Sequence, residues 1–271
     1  MGLNGNLKII TIPDLHGKDV WQQIDPKIYD KIIFLGDYVD APYRKATDIA
    51  QIDGMNQRVL INEEHGRTNA EILYNLTKII ELKNKYPDKV VLLLGNHDVP
   101  YIYHIKNKSL QRTMMCSGYR YSMENELAVL FNNNIKKFKI AHRIENVVWS
   151  HAGITPQAYN AYFKNKLNDN LDLLVDELNM WFVLNEPELF YVSQKRGGSM
   201  PHGSILWADK TEWTKEEYKF PFIQIVGHSH VDKISYLYDD MKITSDVFLK
   251  EANVTFTDCF NTETRFYEIE L

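Results

Sequence analysis

Five short segments of this chain share one pattern, in which a run of apolar, largely β-branched residues breaks off into glycine, aspartate, asparagine and histidine. Leu7 to Pro13 runs into DLHG (14–17), Lys31 to Leu35 into GDYVD (36–40), and Lys89 to Leu94 into GNHD (95–98). Glu145 to Ser150 runs into HAG (151–153), and Phe222 to Val226 into GHSH (227–230). Nearly continuous apolar runs of this length read as strands covered on both faces, the habit of parallel sheets in α/β proteins. In such sheets the loops beyond the carboxyl ends of the strands converge on one crevice. Side chains far apart in sequence therefore meet there, and five of the nine histidines (His16, His97, His151, His228 and His230) sit in these loops.

The intervening sequence supplies helices. Thr68 followed by Glu71 has the spacing of a capping box, and Ile72, Leu73, Leu76, Ile79 and Ile80 form the apolar stripe behind it, up to Pro87. A second stripe of Leu167, Leu171, Leu174, Leu178 and Phe182 predicts a long amphipathic helix. From Lys233 onward, ISYLY, VTFTD and RFYEI are rich in β-branched and aromatic residues, and a largely antiparallel closing sheet is expected there. One domain spanning residues 1–271 is expected, since no linker or repeat interrupts it.

Composition narrows the function classes. A net charge of −5 disfavours a non-specific grip on nucleic acid, and the sequence carries no strong nucleic-acid signal. No stretch approaches the roughly 20 apolar residues of a membrane span, and the first residues lack the pattern of a signal peptide. Cys116 and Cys259 form no metal-type pair, and the expected setting is a reducing cytoplasm with no membrane partner.

The five loops carry imidazole, carboxylate and amide groups and no thiolate. That donor set suits manganese, iron or zinc. A short Asp or Asn turn by itself is ordinary loop chemistry, but GDxxD, GNHD and GHxH in this order, each after a strand, point to a metal centre.

On these motifs the sequence resembles the calcineurin-like metallophosphoesterases, and is most similar to their phosphoprotein (serine/threonine) phosphatase branch with its bacterial and phage relatives. SHAGITP (150–156) and LWAD (206–209) resemble two further segments of that branch. The resemblance implies a four-layer α/β/β/α sandwich of two mixed sheets, with the active site at strand C-terminal loops. It implies two divalent ions, Mn2+ first and Fe or Zn as alternatives, that hold a hydroxide for attack on the phosphate. Asp14, His16 and Asp37 would hold one ion, Asp37 bridging; Asn96, His151 and His228 would complete the other; and His230 matches a ligand of the first ion in the wider superfamily. His97 would be the general acid or a phosphate-polarising residue, with Asp40 accepting its other ring N–H and fixing its orientation.

The sequence departs from that branch in places. Ala41 and Pro42 stand where an Arg-Gly pair normally follows GDYVD, so the phosphate-binding arginine must come from elsewhere, with Arg44, Arg58, Arg67 and Arg196 as candidates. Residues 41–67 read as an insertion able to cover the site. Tyr38, Tyr43, Tyr101, Tyr103 and Trp207 lie near the motifs and suit either packing or stacking on a nucleobase. The resemblance implies a phosphorylated substrate as partner, a phosphoprotein or a small phosphate ester or nucleotide. Phosphomonoesterase activity is the first reading; nucleotide or dinucleoside polyphosphate hydrolysis, phosphodiester cleavage and a non-catalytic scaffold follow it.

Overall fold

The computed structural model describes residues 6–40, 48–52, 55–59, 67–164, 166, 170–213, 220–237, 243–244 and 254–271. Its strands in chain order are β1 (Lys8–Ile12), β2 (Lys31–Phe34), β3 (Asp48–Ile52), β4 (Met55–Val59), β5 (Val90–Leu93), β6 (Phe138–Lys139) and β7 (Ala141–Ile144). They continue with β8 (Val147–Ser150), β9 (Ile223–Val226), β10 (Ser235–Leu237), β11 (Ile243–Thr244), β12 (Val254–Phe256) and β13 (Tyr267–Glu270). The helices are α1 (Asn69–Lys85), α2 (Val99–Lys106), α3 (Lys108–Met114), α4 (Glu124–Asn134), α5 (Pro156–Tyr162) and α6 (Leu171–Leu184).

Two mixed sheets organise the chain. The first has the order β13-β1-β2-β5-β6 and the second β11-β10-β12-β9-β8-β7, while β3 and β4 pair only with each other. In the first sheet β1, β2 and β5 run parallel, with Ile12 beside Phe34 and Phe34 beside Leu92. In the second, β8, β9 and β12 run parallel, with Trp149 beside Ile225 and Val226 beside Phe256. Each trio thus ends at a common edge. The sheets meet face to face through the buried Trp149 indole, whose Nε1–H donates to Thr11 Oγ1 at 3.0 Å. Helix α1 packs on β5 and α4, and α6 packs on β7, so helices flank the sheet pair.

The expected strands are present because their residues have no solvent face. Val90, Val91, Leu92 and Leu93 are all buried, as are Val147 through Ser150. Burying each such aliphatic side chain contributes on the order of 1.5–3 kcal/mol. Helix α1 begins where the capping box predicts: Glu71 N–H donates to Thr68 Oγ1 and Thr68 N–H donates to Glu71 Oε2. Its stripe of Ile72, Leu76, Ile79 and Ile80 is buried. Helix α6 starts at the Asn170 cap rather than at Leu167, which lies outside the described residues.

The tail corrects one expectation. It forms no sheet of its own: β10 pairs antiparallel with β11 and β12, β12 joins β9 in parallel, and β13 crosses to the other sheet as the antiparallel neighbour of β1. β-branched composition specifies a strand and leaves its partner to the packing of both sheets. Of the insertion at 41–67, the structure describes the β3–β4 hairpin and Arg67, which pairs with Asp19 at 2.9 Å. Arg44 and Tyr43 lie outside the described residues, as does the side chain of Arg58 on β4. No helix among the described residues is long and apolar enough to cross a membrane.

Because the box satisfies the Glu71 N–H and the Thr68 N–H together, Thr68→Ala is expected to lower the unfolding free energy by about 1 kcal/mol. Urea unfolding of the two proteins measures it; an unchanged midpoint would mean that the cap adds nothing to the folded state.

Candidate metal centre

The edge where the parallel strands end gathers the motif residues. Asp14 and His16 follow β1, Asp37 and Asp40 follow β2, Asn96, His97 and Asp98 follow β5, His151 follows β8 and His228 follows β9. Asp37 is the hub. Its Oδ2 lies 3.4 Å from His151 Nε2, 3.8 Å from His16 Nε2 and 4.0 Å from His97 Nε2. His151 Nε2 is in turn 2.8 Å from Asn96 Oδ1 and 3.2 Å from His228 Nδ1. His16, Asp37 and His97 form one group with metal-ligand spacing, and Asp37, His151 and His228 form another, sharing Asp37.

Backbone geometry shows what this convergence costs. His16, Asp37, Asp40 and His228 all have positive φ, four of the six non-glycine residues so placed among the described residues. Left-handed backbone disfavours an L side chain by about 1–2 kcal/mol, so the strain is concentrated at this edge. Two of the loop glycines supply clearance. A Cβ on Gly95 would collide with Asp37 Oδ1, and one on Gly227 with Asp14 Oδ1. Each glycine lets a carboxylate from another loop approach the main chain.

A carboxylate buttress unites the loops after β2 and β5. Buried Asp98 accepts N–H bonds from Asp37 at 2.8 Å, Tyr38 at 3.0 Å and Gly95 at 2.9 Å, and Asp37 Oδ1 accepts from His97 N–H at 2.9 Å. Asp14 does the same across the sheets, with both oxygens near His228 N–H at 3.0 and 3.1 Å.

The imidazoles divide by what stands behind them. His16 Nδ1–H donates to Val39 O at 3.1 Å, and His151 Nδ1–H donates to Leu35 O at 2.9 Å. A carbonyl only accepts, so in both rings the proton is on Nδ1 and the Nε2 lone pair faces Asp37. Asn96 Oδ1 and Asp37 Oδ2 both stand against the His151 Nε2 lone pair, and His228 brings its Nδ1 to 3.2 Å from that nitrogen while its Nε2 is buried without a partner. Acceptors massed in this way fit a cation. His97 differs. Its Nδ1 lies 3.2 Å from Asp40 Oδ2, and Asp40 Oδ1 accepts from the Tyr101 hydroxyl, which itself accepts from Arg120 N–H at 2.8 Å.

The structure does not bring every candidate in. His230 stays outside: its side chain is 43% exposed, with Nε2 4.0 Å from Asp232. The turn is held by Lys210 Nζ on His230 O at 2.6 Å and by Ser229 Oγ, which accepts from Lys210 N–H, and this leaves the ring on the solvent side. Arg196 reaches the rim, paired with Asp209 at 2.9 Å and donating to Ser229 Oγ at 3.0 Å. Tyr38, Tyr101 and Tyr103 are fully packed in the core, which removes them as stacking surfaces; Trp207 stands 5.9 Å from the His228 ring. Sequence reasoning missed Asp258, buried at the end of β12 and signalled only by its place after VTFT, and Cys116, whose Sγ lies 3.3 Å from Asn96 Nδ2. No strand precedes Cys116, so no pattern marked it.

A family model for calcineurin-like phosphoesterases matches residues 7–255. The chain belongs to this family. It is accordingly a hydrolase of phosphate esters, in a family that works with divalent metal ions. Among solved structures, a cold-active protein tyrosine phosphatase at 1.1 Å matches with a TM-score of 0.54 and 15% identity over 94% of this chain and 70% of that one. The cold-active protein tyrosine phosphatase of a psychrophilic Shewanella species gives a TM-score of 0.50 and 14% identity over 94% and 72% of the two chains. At such identities the likeness speaks for the fold. No curated protein matches the chain in sequence.

The protonation of this phosphoesterase centre follows from burial. Desolvation, then the charges of neighbouring carboxylates, raises Asp14 and Asp37 well above the usual carboxylate range. Burial lifts Asp98 to about 7 and Asp40 to about 8, the latter against the pull of Tyr101 and Arg120. Burial lowers His16 and His151 to about 3 and His97 to about 4. Burial and the nearby Asp37 and Asp40 keep the Cys116 thiol protonated.

These shifts predict how metal-free protein responds to pH. His97, His16 and His151, lowered from 6.5, contribute stability that is complete above pH 6.5 and lost as pH falls through about 4 for His97 and about 3 for the other two. Raised carboxyls contribute stability that is complete below 3.8 and lost as pH rises through their folded values, up to about 8 for Asp40. Chelator-stripped protein is therefore expected to melt at a lower temperature at pH 8 than at 6.5, and manganese to raise the melting temperature more at pH 8. Equal manganese shifts at the two pH values would contradict this electrostatic account.

Proposed function

We propose that this phosphoesterase is a phosphomonoesterase of the serine/threonine phosphatase type with two divalent ions, manganese first among them. Asp14, His16 and Asp37 hold one ion, and Asp37, Asn96, His151 and His228 hold the other, with Asp37 shared. The observation that carries this is the convergence of the Asp37, Asn96, His16 and His151 acceptors, the two imidazoles locked by carbonyls into the tautomer that ligates. When bound, the ions supply positive charge against the phosphate and acidify a water.

The chain's own residues manage orientation and the proton. His97 is backed by a carboxyl instead of a carbonyl, so it alone among the three rings with Nε2 toward Asp37 can change which nitrogen carries hydrogen. With Asp40 raised to about 8 and His97 lowered to about 4, the pair holds a proton on the Asp40 carboxyl facing Nδ1, which leaves an N–H at Nε2 to give to a leaving oxygen. As that proton departs, Nδ1 takes the one on Asp40. Tyr101 and the Arg120 main chain hold Asp40 in place for this transfer. Arg196, fixed by Asp209 and Ser229 beside His228, is, among the described candidate arginines, the one situated to bind a phosphate oxygen in place of the one missing at Ala41. Support for the branch comes from its two marker segments meeting at the site, His151 of SHAG and Trp207 of LWAD.

Leaving-group dependence tests the proton assignment. Aryl alcohols depart readily as anions and serine-like alkoxides do not, so His97→Asn should slow alkyl phosphate hydrolysis by about 10²- to 10⁴-fold and p-nitrophenyl phosphate hydrolysis much less. Metal occupancy is checked in both proteins. An identical fractional loss would make His97 a phosphate-binding residue.

Asp37→Asn should abolish turnover on both substrates and remove bound manganese, measured by elemental analysis. Retained metal with retained turnover would contradict the bridging role.

A further inference from the structure

Asn96 presents a problem that the motif does not solve. An amide has two termini of nearly equal size, and only the oxygen binds a cation. Turned over, Asn96 would point its NH2 at the His151 Nε2 lone pair and satisfy it with a hydrogen bond. Asn96 Oδ1 nevertheless faces His151 Nε2 at 2.8 Å, where it gains no donor. The restraint must lie on the other side of the amide.

Cys116 occupies that side. Its Sγ is 3.3 Å from Asn96 Nδ2, and the same sulfur is 3.2 Å from Asn96 O and 3.4 Å from Met114 O. Those two main-chain carbonyls take the thiol hydrogen, since neither can donate. The sulfur lone pairs are then left toward the side-chain amide, and only an N–H is complementary to them. With the thiol hydrogen committed in this way, the amide oxygen is turned into the cluster.

We propose that Cys116 is a positioning residue that sets the orientation of the Asn96 amide and so presents its oxygen to the ion shared with His151 and His228. The inference rests on the two-metal reading above. It extends that reading by a residue from the turn after α3, outside every motif loop. Outer partners of this kind are commonly worth 10- to 100-fold in metal affinity.

The test is manganese titration by calorimetry of chelator-stripped full-length protein and of three variants. Cys116→Ala removes the acceptor, Cys116→Val removes it while filling the space, and Cys116→Ser restores a group that both donates and accepts. About tenfold weaker binding of one ion in the Ala and Val proteins, with the other ion unchanged and with most of the loss recovered in Ser, is the expected result. Wild-type affinity in Ala or Val would overturn the proposal, and so would a Ser protein as weak as Ala, because packing alone would then account for the thiol. Wild-type protein that binds no manganese would instead defeat the two-metal reading itself, a result separable from any difference among the variants.

Discussion

The Asp37 carboxylate is the point on which this structure turns. It is buried, ringed by three imidazole Nε2 atoms within 4.0 Å, and joined to Asn96 through the shared neighbour His151. A charge removed from water in this way is costly unless something of opposite sign or a proton meets it. His151 and His16 turn acceptor nitrogens toward its Oδ2. Such an arrangement is sensible only as one half of an interaction whose other half is a cation, and the fold carries the cost of holding the half in readiness.

That readiness is built from main chain. Asp98 gathers three N–H groups from two loops, Asp14 meets the N–H of His228 from the other sheet, and carbonyls of Leu35 and Val39 set the tautomers of His151 and His16. The strained backbone at His16, Asp37, Asp40 and His228 is tolerated because these bonds over-determine it. Rigid parallel strands beneath the loops convert modest local restraints into fixed positions.

The same economy separates the histidines. His16, His151 and His97 are largely buried imidazoles with lowered proton affinity, yet a carbonyl behind the first two holds the hydrogen on Nδ1, whereas a carboxyl stands behind His97. One atom of the partner decides the chemistry of the ring. Cys116 extends the principle to an amide, where the partner decides which end of a symmetric-looking group is presented.

How much of this was legible in the sequence follows from what each residue depends on. Strands buried on both faces announce themselves by composition, and a side chain just beyond such a strand is placed by chain continuity, so the gathering of Asp14, His16, Asp37, Asn96, His151 and His228 at one edge was readable in advance. Helix α2 was not, because Val99 to His104 are all buried and show no amphipathic period. Partner choice was not readable either, as the crossing of β13 to the first sheet shows, since pairing is decided by the packing of distant faces. His230 carried the same motif signal as His228 and was turned to solvent by Lys210 and Ser229, residues no local pattern connects to it. Sequence by itself determined the strand ends and the donor types, because both are properties of short contiguous segments. Only the tertiary structure decided the tautomers, the direction of the Asn96 amide and the places of Asp258 and Cys116, because each of these is set by a hydrogen bond or a burial whose two sides come from different parts of the chain.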